Sequence, residues 1–183
     1  MRRKEATYIV EFEGPDDPLN PLNWSVKRRV FATVLLSLTT FVVTFASSVF
    51  SSALRVVAIE FGISDEVATL GLSLFVLGFA IGPLLWAPMS ELYGRQVLFF
   101  GTYAMLTAFN AGGAGSQNIQ TLIILRFFAG AFGSSPLTNA GGVIADMFVA
   151  SDRGLAMSVF ASAPFLGPTI GFVLSRYLSH HEY

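Results

Sequence analysis

Long stretches without a charged side chain constrain this chain more than any other feature of its sequence. Five occur, with 25, 24, 30, 19 and 22 residues, between Arg29 and Arg55, Glu66 and Glu91, Arg95 and Arg126, Arg126 and Asp146, and Arg153 and Arg176. A helix that crosses a bilayer needs roughly 20 predominantly apolar residues. The stretches are rich in Leu, Phe, Val and Ala and lack the alternation of barrel strands. They predict an all-α membrane protein with about five transmembrane helices.

Composition excludes several other classes of protein. Of the 183 residues, 53% are hydrophobic and 13% are charged, and this charged share is about half of that in soluble domains. Such a chain cannot cover a water-soluble globule with polar groups, and it is too hydrophobic for disorder. The net charge of −1 offers no basic field for nucleic acid. Cysteine is absent, which excludes disulfides and thiolate metal sites, and we expect neither a metal nor a cofactor.

The charge pattern divides the chain into three parts. A polar tail covers residues 1–25, a transmembrane bundle residues 26–179, and a short terminal tail residues 180–183. Three prolines exclude a regular helix from residues 14–24 and predict an extended arm at the membrane surface, with Trp24 at the interface. The predicted helices cover residues 30–54, 67–87, 97–111, 119–147 and 154–178. Pro136 and the Gly141–Gly142 pair predict a kink in the fourth helix.

Loop cations predict the orientation of the bundle. If the N-terminus is cytoplasmic, eight Lys or Arg residues lie on the inner side and two, Arg55 and Arg176, on the outer side. Cytoplasmic loops carry an excess of Lys and Arg, so the sequence predicts a cytoplasmic N-terminus. The inner cations are Arg2, Arg3, Lys4, Lys27, Arg28, Arg29, Arg95 and Arg153.

Arg126 is predicted to lie within the membrane, where a cation is costly and is often functional. Asp146 follows 20 residues later, which is roughly 30 Å along a helix, so the two side chains cannot pair. Two alternatives remain for Arg126. Its side chain either reaches the outer interface, or it faces the bundle interior and influences a proton or substrate site.

Glu91, Gly94, Arg95 and Asp146 are predicted to meet at the cytoplasmic face. Gly94 permits a tight reversal between antiparallel helices. Glu91 and Arg95 are four residues apart and can pair if the turn is helical. Asp146, at the inner end of the fourth helix, is expected at the same depth. On the residues alone, a solvated set of ordinary helix-end charges is favoured over an interacting set.

The fifth predicted helix contains Pro164, Gly167, Pro168 and Gly171. The two glycines have the spacing of close helix–helix contacts, and Gly78 with Gly82 repeats this spacing on the second helix. Each proline removes one backbone hydrogen bond and loosens the helix. Plain packing is the alternative to a specific function for this segment.

Four segments together resemble the N-terminal half of a major facilitator superfamily transporter, specifically of the fungal drug:proton antiporter group. Residues 87–98 are similar to the family's loop between helices 2 and 3, and residues 125–130 to the arginine motif of helix 4. Residues 163–171 look like the antiporter motif of helix 5, and residues 17–24 like the tail signature of fungal multidrug members. The resemblance covers residues 15–171. Departures occur at Ala87, Glu91 and Gln96, and further glycines are missing after Gly171.

The resemblance implies a mechanism and partners. The family has twelve helices in two halves that rock about a central site, with protons as the coupling ion. In that scheme Glu91, Arg95 and Asp146 form a cytoplasmic charge relay with Gly94 at its turn, and Arg126 couples proton release to substrate movement. Pro164, Gly167, Pro168 and Gly171 set the packing that favours export. The expected partners are the lipid bilayer, a small organic substrate and a C-terminal half that this chain lacks, in the plasma membrane.

An intramembrane enzyme and a non-transporting membrane protein are the two other classes of function open to such a chain. An intramembrane enzyme needs a Ser–His dyad, paired aspartates or a metal motif, whereas the two histidines, His180 and His181, lie in the terminal tail. We therefore expect no enzyme. A non-transporting truncated product or a five-helix structural or regulatory membrane protein remains the alternative to an incomplete transporter. The genomic sequence downstream of codon 183 distinguishes these two possibilities.

Overall fold

A computed structural model describes residues 17–181 of the chain. Residues 1–16 of the predicted polar tail lie outside the described residues, as do residues 182–183 of the predicted terminal tail. A short 3-10 helix, Pro21–Asn23, precedes six α-helices. These are α1 (Val26–Phe61), α2 (Asp65–Tyr93), α3 (Arg95–Ala114), α4 (Ile119–Gly133), α5 (Ser135–Met147) and α6 (Ala150–His181).

Five segments of this structure are long and apolar enough to cross a membrane. They are α1, α2, α3, α4 with α5 as one span, and residues 150–174 of α6, with a mean hydropathy of 1.2 to 2.0. No strand occurs within residues 17–181. The prediction of an all-α membrane bundle with about five transmembrane helices is confirmed.

The helices extend beyond the ends that the sequence predicts. Helix α1 runs over Val26–Phe61 instead of 30–54, which is about 54 Å at 1.5 Å per residue and exceeds the roughly 30 Å hydrocarbon core. It ends at Gly62, whose φ of 60° is left-handed and whose N–H bonds to the carbonyls of Ala58 and Ile59. Glu60, expected in a loop, therefore lies on the last turn of α1. The sequence predicts that each helix ends near the first charged residue. The helix continues beyond that point because backbone hydrogen bonding does not require the hydrocarbon core.

The turn between the second and third helices is shorter than predicted. Helix α2 contains Pro83 and Pro88 and continues to Tyr93, and α3 begins at Arg95. The predicted turn over residues 88–96 is therefore wrong, since Gly94 alone separates the helices. Its φ of 84° is open to glycine and strained for other residues.

The fourth span is interrupted at Ser134, which separates α4 from α5 and has a φ of −73° and a ψ of −18°; a kink at Pro136 or Gly141–Gly142 stays a prediction. Pro136 lies in the first turn of α5, where its missing N–H leaves no intrahelical bond unmade. The Gly141–Gly142 pair continues the helix without a break. The predicted connection at residues 151–153 belongs instead to the first turn of α6, so that Phe148 and Val149 form the link.

Two helix pairs, α1 with α6 and α2 with α4, form the closest contacts of the bundle. A Cβ added at Gly130 of α4 would clash with the backbone carbonyl of Phe75 in α2, and one at Gly78 would clash with the carbonyl of Phe127. A Cβ at Gly167 of α6 would lie 2.9 Å from the carbonyl oxygen of Phe41. Small residues allow this approach, so the two pairs are held backbone to backbone.

The arm before α1 is folded onto the bundle. The Asn20 side chain accepts a hydrogen bond from the N–H of Leu22 and caps the 3-10 helix. The Trp24 ring is half-buried against a core cluster that includes Ile144 and Phe148, and the Arg28 guanidinium lies 3.9 Å from its centroid. The arm is therefore more compact than the predicted extended segment.

Replacing Gly130 with Ala should destabilise the protein by about 1–3 kcal/mol, because the new methyl group must displace the α2 backbone. Gly141→Ala is the matched control, since nothing lies within 4 Å of its Cβ position. Unfolding free energies in detergent micelles measure the difference. Equal stability of the two variants would contradict the close α2–α4 contact.

Candidate functional site

The first candidate site is built around an ion pair between Arg95 and Asp146. Arg95 Nε lies 2.9 Å from Asp146 Oδ2. Arg95 is the first residue of α3, and Asp146 lies one residue before the end of α5. The pair therefore joins two helices that are far apart in sequence. The side chains are 34% and 49% exposed, and such exposed pairs contribute about 0–1 kcal/mol to stability.

Gly142 makes this pair possible, and it was not among the predicted site residues. A Cβ at Gly142 would occupy the position of the Arg95 guanidinium, so this guanidinium lies directly against the α5 backbone. Gly142 is four residues before Asp146 and therefore on the same helix face. A glycine at this spacing before an acidic helix end is the sequence signal that would have indicated the contact.

Glu91 does not join the pair. It lies on α2, is exposed, and makes no ion pair with Arg95 or another described residue. The i, i+4 pairing of Glu91 with Arg95 required a helical turn, and it does not form in this conformation because Gly94 interrupts the helix between them. A role of Glu91 in a charge relay stays a prediction.

Two further cations bind the carboxyl end of α5 and were not singled out in the sequence. Arg153 Nη2 donates to the carbonyls of Ala145 at 3.1 Å and Phe148 at 3.5 Å. Arg29 Nη1 donates to the carbonyl of Met147 at 3.4 Å. Cations at this position satisfy end carbonyls and the negative end of the helix dipole. The segment that carries Asp146 is thus fixed by three arginines from three other helices.

Arg126 faces the interior of the bundle, which is one of the two alternatives. Its guanidinium carbon lies 3.7 Å from the centroid of the Phe50 ring of α1, in cation–π contact. Its Nη1 is buried and has no hydrogen-bond partner in the described residues. The side chain lines a cavity of about 260 Å³ together with Glu60, Asn110 and Ser116. A cation with an unused donor beside a polar cavity can bind an acceptor there, while its coupling role stays a prediction.

The proline–glycine segment lies in α6, which remains helical through Pro164 and Pro168. Gly167 faces Thr44 and Gly171 faces Ser48, both on α1. Ser48 Oγ donates to the carbonyl of Pro168 at 3.0 Å. The packing interpretation of this segment therefore has a geometric basis, and its specific contribution to antiport stays a prediction. Within the described residues, no group of three or more His, Cys, Asp or Glu side chains is placed to hold a metal ion.

Comparison with known proteins gives the same result as the motifs. The family described as "Major Facilitator Superfamily" matches residues 36–182. The chain is 63% identical over 153 residues to the "Major facilitator superfamily multidrug transporter mdrA" of Aspergillus fumigatus, which covers 84% of this chain and 25% of that protein. It is 62% identical over 160 residues to the "MFS-type efflux pump MFS2" of Trichophyton rubrum, with coverages of 87% and 27%.

A third relative aligns over more of the chain. The "Efflux pump FUBT" of Fusarium oxysporum is 51% identical over 174 residues, with coverages of 95% of this chain and 29% of that protein. The chain thus spans 25% to 29% of the length of these three relatives. The resemblance to fungal multidrug transporters is confirmed.

In unfolding experiments, the changes in unfolding free energy caused by Arg95→Gln and Asp146→Asn should be less than additive, with a coupling free energy of up to about 1 kcal/mol. The effect of Glu91→Gln on the unfolding free energy should add to that of each of these substitutions, because the Glu91 side chain does not contact the Arg95–Asp146 pair. A double-mutant cycle of unfolding free energies in mixed micelles measures both couplings. A coupling of Glu91 to Arg95 as large as that of Asp146 would contradict this arrangement.

Gly142→Ala should remove the Arg95–Asp146 coupling without changing either charged residue, because the new methyl group displaces the guanidinium. Gly141→Ala, on the same helix with open space at its Cβ, should leave the coupling intact. The same cycle repeated in the two glycine backgrounds measures this. Persistence of the full coupling in Gly142→Ala would show that Arg95 reaches Asp146 by another path.

Proposed function

The chain belongs to the major facilitator superfamily, and on that premise we propose that it forms part of a proton-coupled exporter of small organic molecules. The observation that carries this proposal is the identity of 62–63%, over more than four fifths of the chain, to proteins named multidrug transporter and efflux pump. Because the chain spans about a quarter of their length, we propose that a second set of helices completes the transport path. The non-transporting alternative is less favoured because it leaves this similarity to efflux pumps unexplained.

In the proposed cycle, the Arg95–Asp146 pair holds the cytoplasmic ends of α3 and α5 together in one conformation and separates in the other. A pair of low net stability suits such a contact, since a transition that breaks it has a small free-energy cost. Glu91 is proposed to join the relay when α2 shifts. The structural support is the single-residue link at Gly94, which keeps Glu91 four residues from Arg95 along the chain.

Arg126 is proposed to couple protons to substrate. A buried guanidinium with an unpartnered N–H is unfavourable until an acceptor binds. A carboxylate or a polar group that enters the adjacent cavity relieves this cost, and protonation of that carboxylate restores it. The described residues of the membrane interior contain no acid beside Arg126 other than Glu60 at the cavity edge. The acceptor therefore comes from Glu60, the substrate or the second set of helices.

We place the protein in the plasma membrane with its N-terminus in the cytoplasm. The support is geometric as well as statistical. Arg29, Arg95 and Arg153 all contact the last residues of α5, so these cations share one end of the bundle. The end with the excess of cations is the cytoplasmic one by the positive-inside rule.

A chimera of residues 1–171 with the remaining helices of the Trichophyton rubrum efflux pump should lower the accumulation of a fluorescent drug in yeast cells without their own exporters. A protonophore should abolish this effect. Arg126→Ala in the chimera should reduce export by at least tenfold while the protein level in the membrane stays the same. The 183-residue chain alone should leave accumulation unchanged.

Three outcomes would overturn this proposal. Export by the chimera that survives the protonophore contradicts proton coupling. Energy-dependent export by the 183-residue chain alone would show that no second set of helices is needed. An inactive chimera that reaches the membrane in normal amounts would contradict the exporter function itself.

The orientation has its own measurement. A tag at Met1 should be protected from external protease in intact cells, whereas a tag inserted between Gly115 and Ser116, in the α3–α4 connection, should be cleaved. The second tag serves as the control for protease access. Cleavage at Met1 with protection of the inserted tag would reverse the proposed orientation.

A further inference from the structure

A small open groove lies where α1, α2 and α6 meet. Its volume is about 140 Å³, and no lining residue carries a charge. The lining residues are Val43, Thr44, Ser47, Phe75, Val76, Phe79 and Pro168. The groove therefore presents an apolar surface with two hydroxyl groups.

The size and walls of the groove suit one aromatic ring. An apolar cavity of about 150 Å³ in another protein holds a benzene molecule. The rings of Phe75 and Phe79 stack on each other with a centroid distance of 6.5 Å and an interplanar angle of 16°, and the half-buried Phe79 ring lines the groove. Phe75 is 3% exposed and fixed in the core, whereas Val76 is 55% exposed at the opening. A ligand ring beside Phe79 and Val76 can therefore make aromatic and apolar contacts without rearrangement of the core.

Ser47 is the only groove residue whose hydroxyl is unused within residues 17–181. Six other hydroxyls of α1 donate to carbonyls of their own helix: Thr33, Ser37, Thr39, Thr40, Thr44 and Ser51. Ser48 donates across to Pro168. Ser47 is half-buried and makes no hydrogen bond with a described residue. A hydroxyl that does not bond back to its helix is available to a ligand.

We propose that this groove binds one neutral aromatic ring of the transported molecule, and that Ser47 hydrogen-bonds to a hydroxyl group or nitrogen on that ring. This inference rests on the proposed export function and specifies its substrate class. A charged group on the ring is disfavoured because no counter-charge lines the groove, and an unpaired charge in an apolar site is costly. The site selects for flat molecules with one polar substituent.

Matched ligands separate the hydrogen bond from the ring contact. The probes are 2-naphthol, 2-methylnaphthalene of nearly the same size, and the 2-naphthyltrimethylammonium cation, each added at pH 6 to the 183-residue chain in phosphatidylcholine nanodiscs. Ligand fluorescence is measured with protein-free nanodiscs as the background. Ser47→Ala should raise the Kd of 2-naphthol about three- to tenfold, the loss expected for one hydrogen bond, and leave that of 2-methylnaphthalene unchanged.

Three further variants complete the experiment. Ser47→Thr keeps the hydroxyl and should keep the affinity for 2-naphthol. Ser52→Ala is the matched control, because Ser52 is an exposed serine of α1 that does not line the groove. Val76→Trp fills the opening and should abolish binding of both neutral naphthalenes. The trimethylammonium compound should bind at least tenfold more weakly than either neutral compound.

The inference is overturned if Ser47→Ala weakens both neutral ligands equally, if Val76→Trp leaves them bound, or if the cation binds as tightly as 2-naphthol. Because these measurements need no transport, they are independent of the chimera. Ser47-dependent binding together with an inactive chimera would contradict the export function and support the aromatic-ring site. An active chimera with Ser47-independent binding would remove the ring site alone.

Discussion

Backbone-to-backbone contact at glycines is the constraint on which the rest of this structure depends. In lipid, apolar side chains gain little by leaving their surroundings, so helices associate through close packing and polar contacts. Gly78 and Gly130 bring α2 against α4, and Gly167 and Gly171 bring α6 against α1. The groove for an aromatic ring and the Arg126 cavity follow from these two pairs. The ring groove forms where α1 of one pair meets α2 of the other, and Arg126 of α4 reaches Phe50 of α1 across the same junction.

Much of the fold could be read from the sequence, because charge is expensive in a bilayer and its absence marks each span directly. The ends of the helices could not, since hydrogen bonding continues past the hydrocarbon where no such penalty acts. The 36-residue α1 shows this most clearly, and it moves Glu60 from a predicted loop to the edge of the Arg126 cavity. Residue spacing placed Arg95 and Asp146 at one face but favoured charges that do not interact, whereas the structure pairs them. It could not reveal that Glu91 stands apart, because that depends on the backbone angle of one glycine.

The residues that were missed share a physical reason. Gly142 acts by having no side chain, and Arg29 and Arg153 act through backbone carbonyls. Neither kind of contact produces a pattern of paired side chains that sequence reasoning can recognise. Four motifs were nevertheless sufficient to indicate the family, because they occur together and in the family's order along the chain. The roles of these motifs in transport are proposals, because transport depends on changes of conformation.

The link between α2 and α3 has a mechanical consequence. Neighbouring Cα atoms are 3.8 Å apart, so a one-residue joint at Gly94 has almost no slack. A tilt of α2 at this end would therefore move Arg95. Asp146 would stay in place, because Arg29 and Arg153 hold the end of α5. In the proposed cycle, a displacement of α2 would thereby open the 2.9 Å contact between Arg95 and Asp146. A longer connection would absorb that motion before it reached the charge.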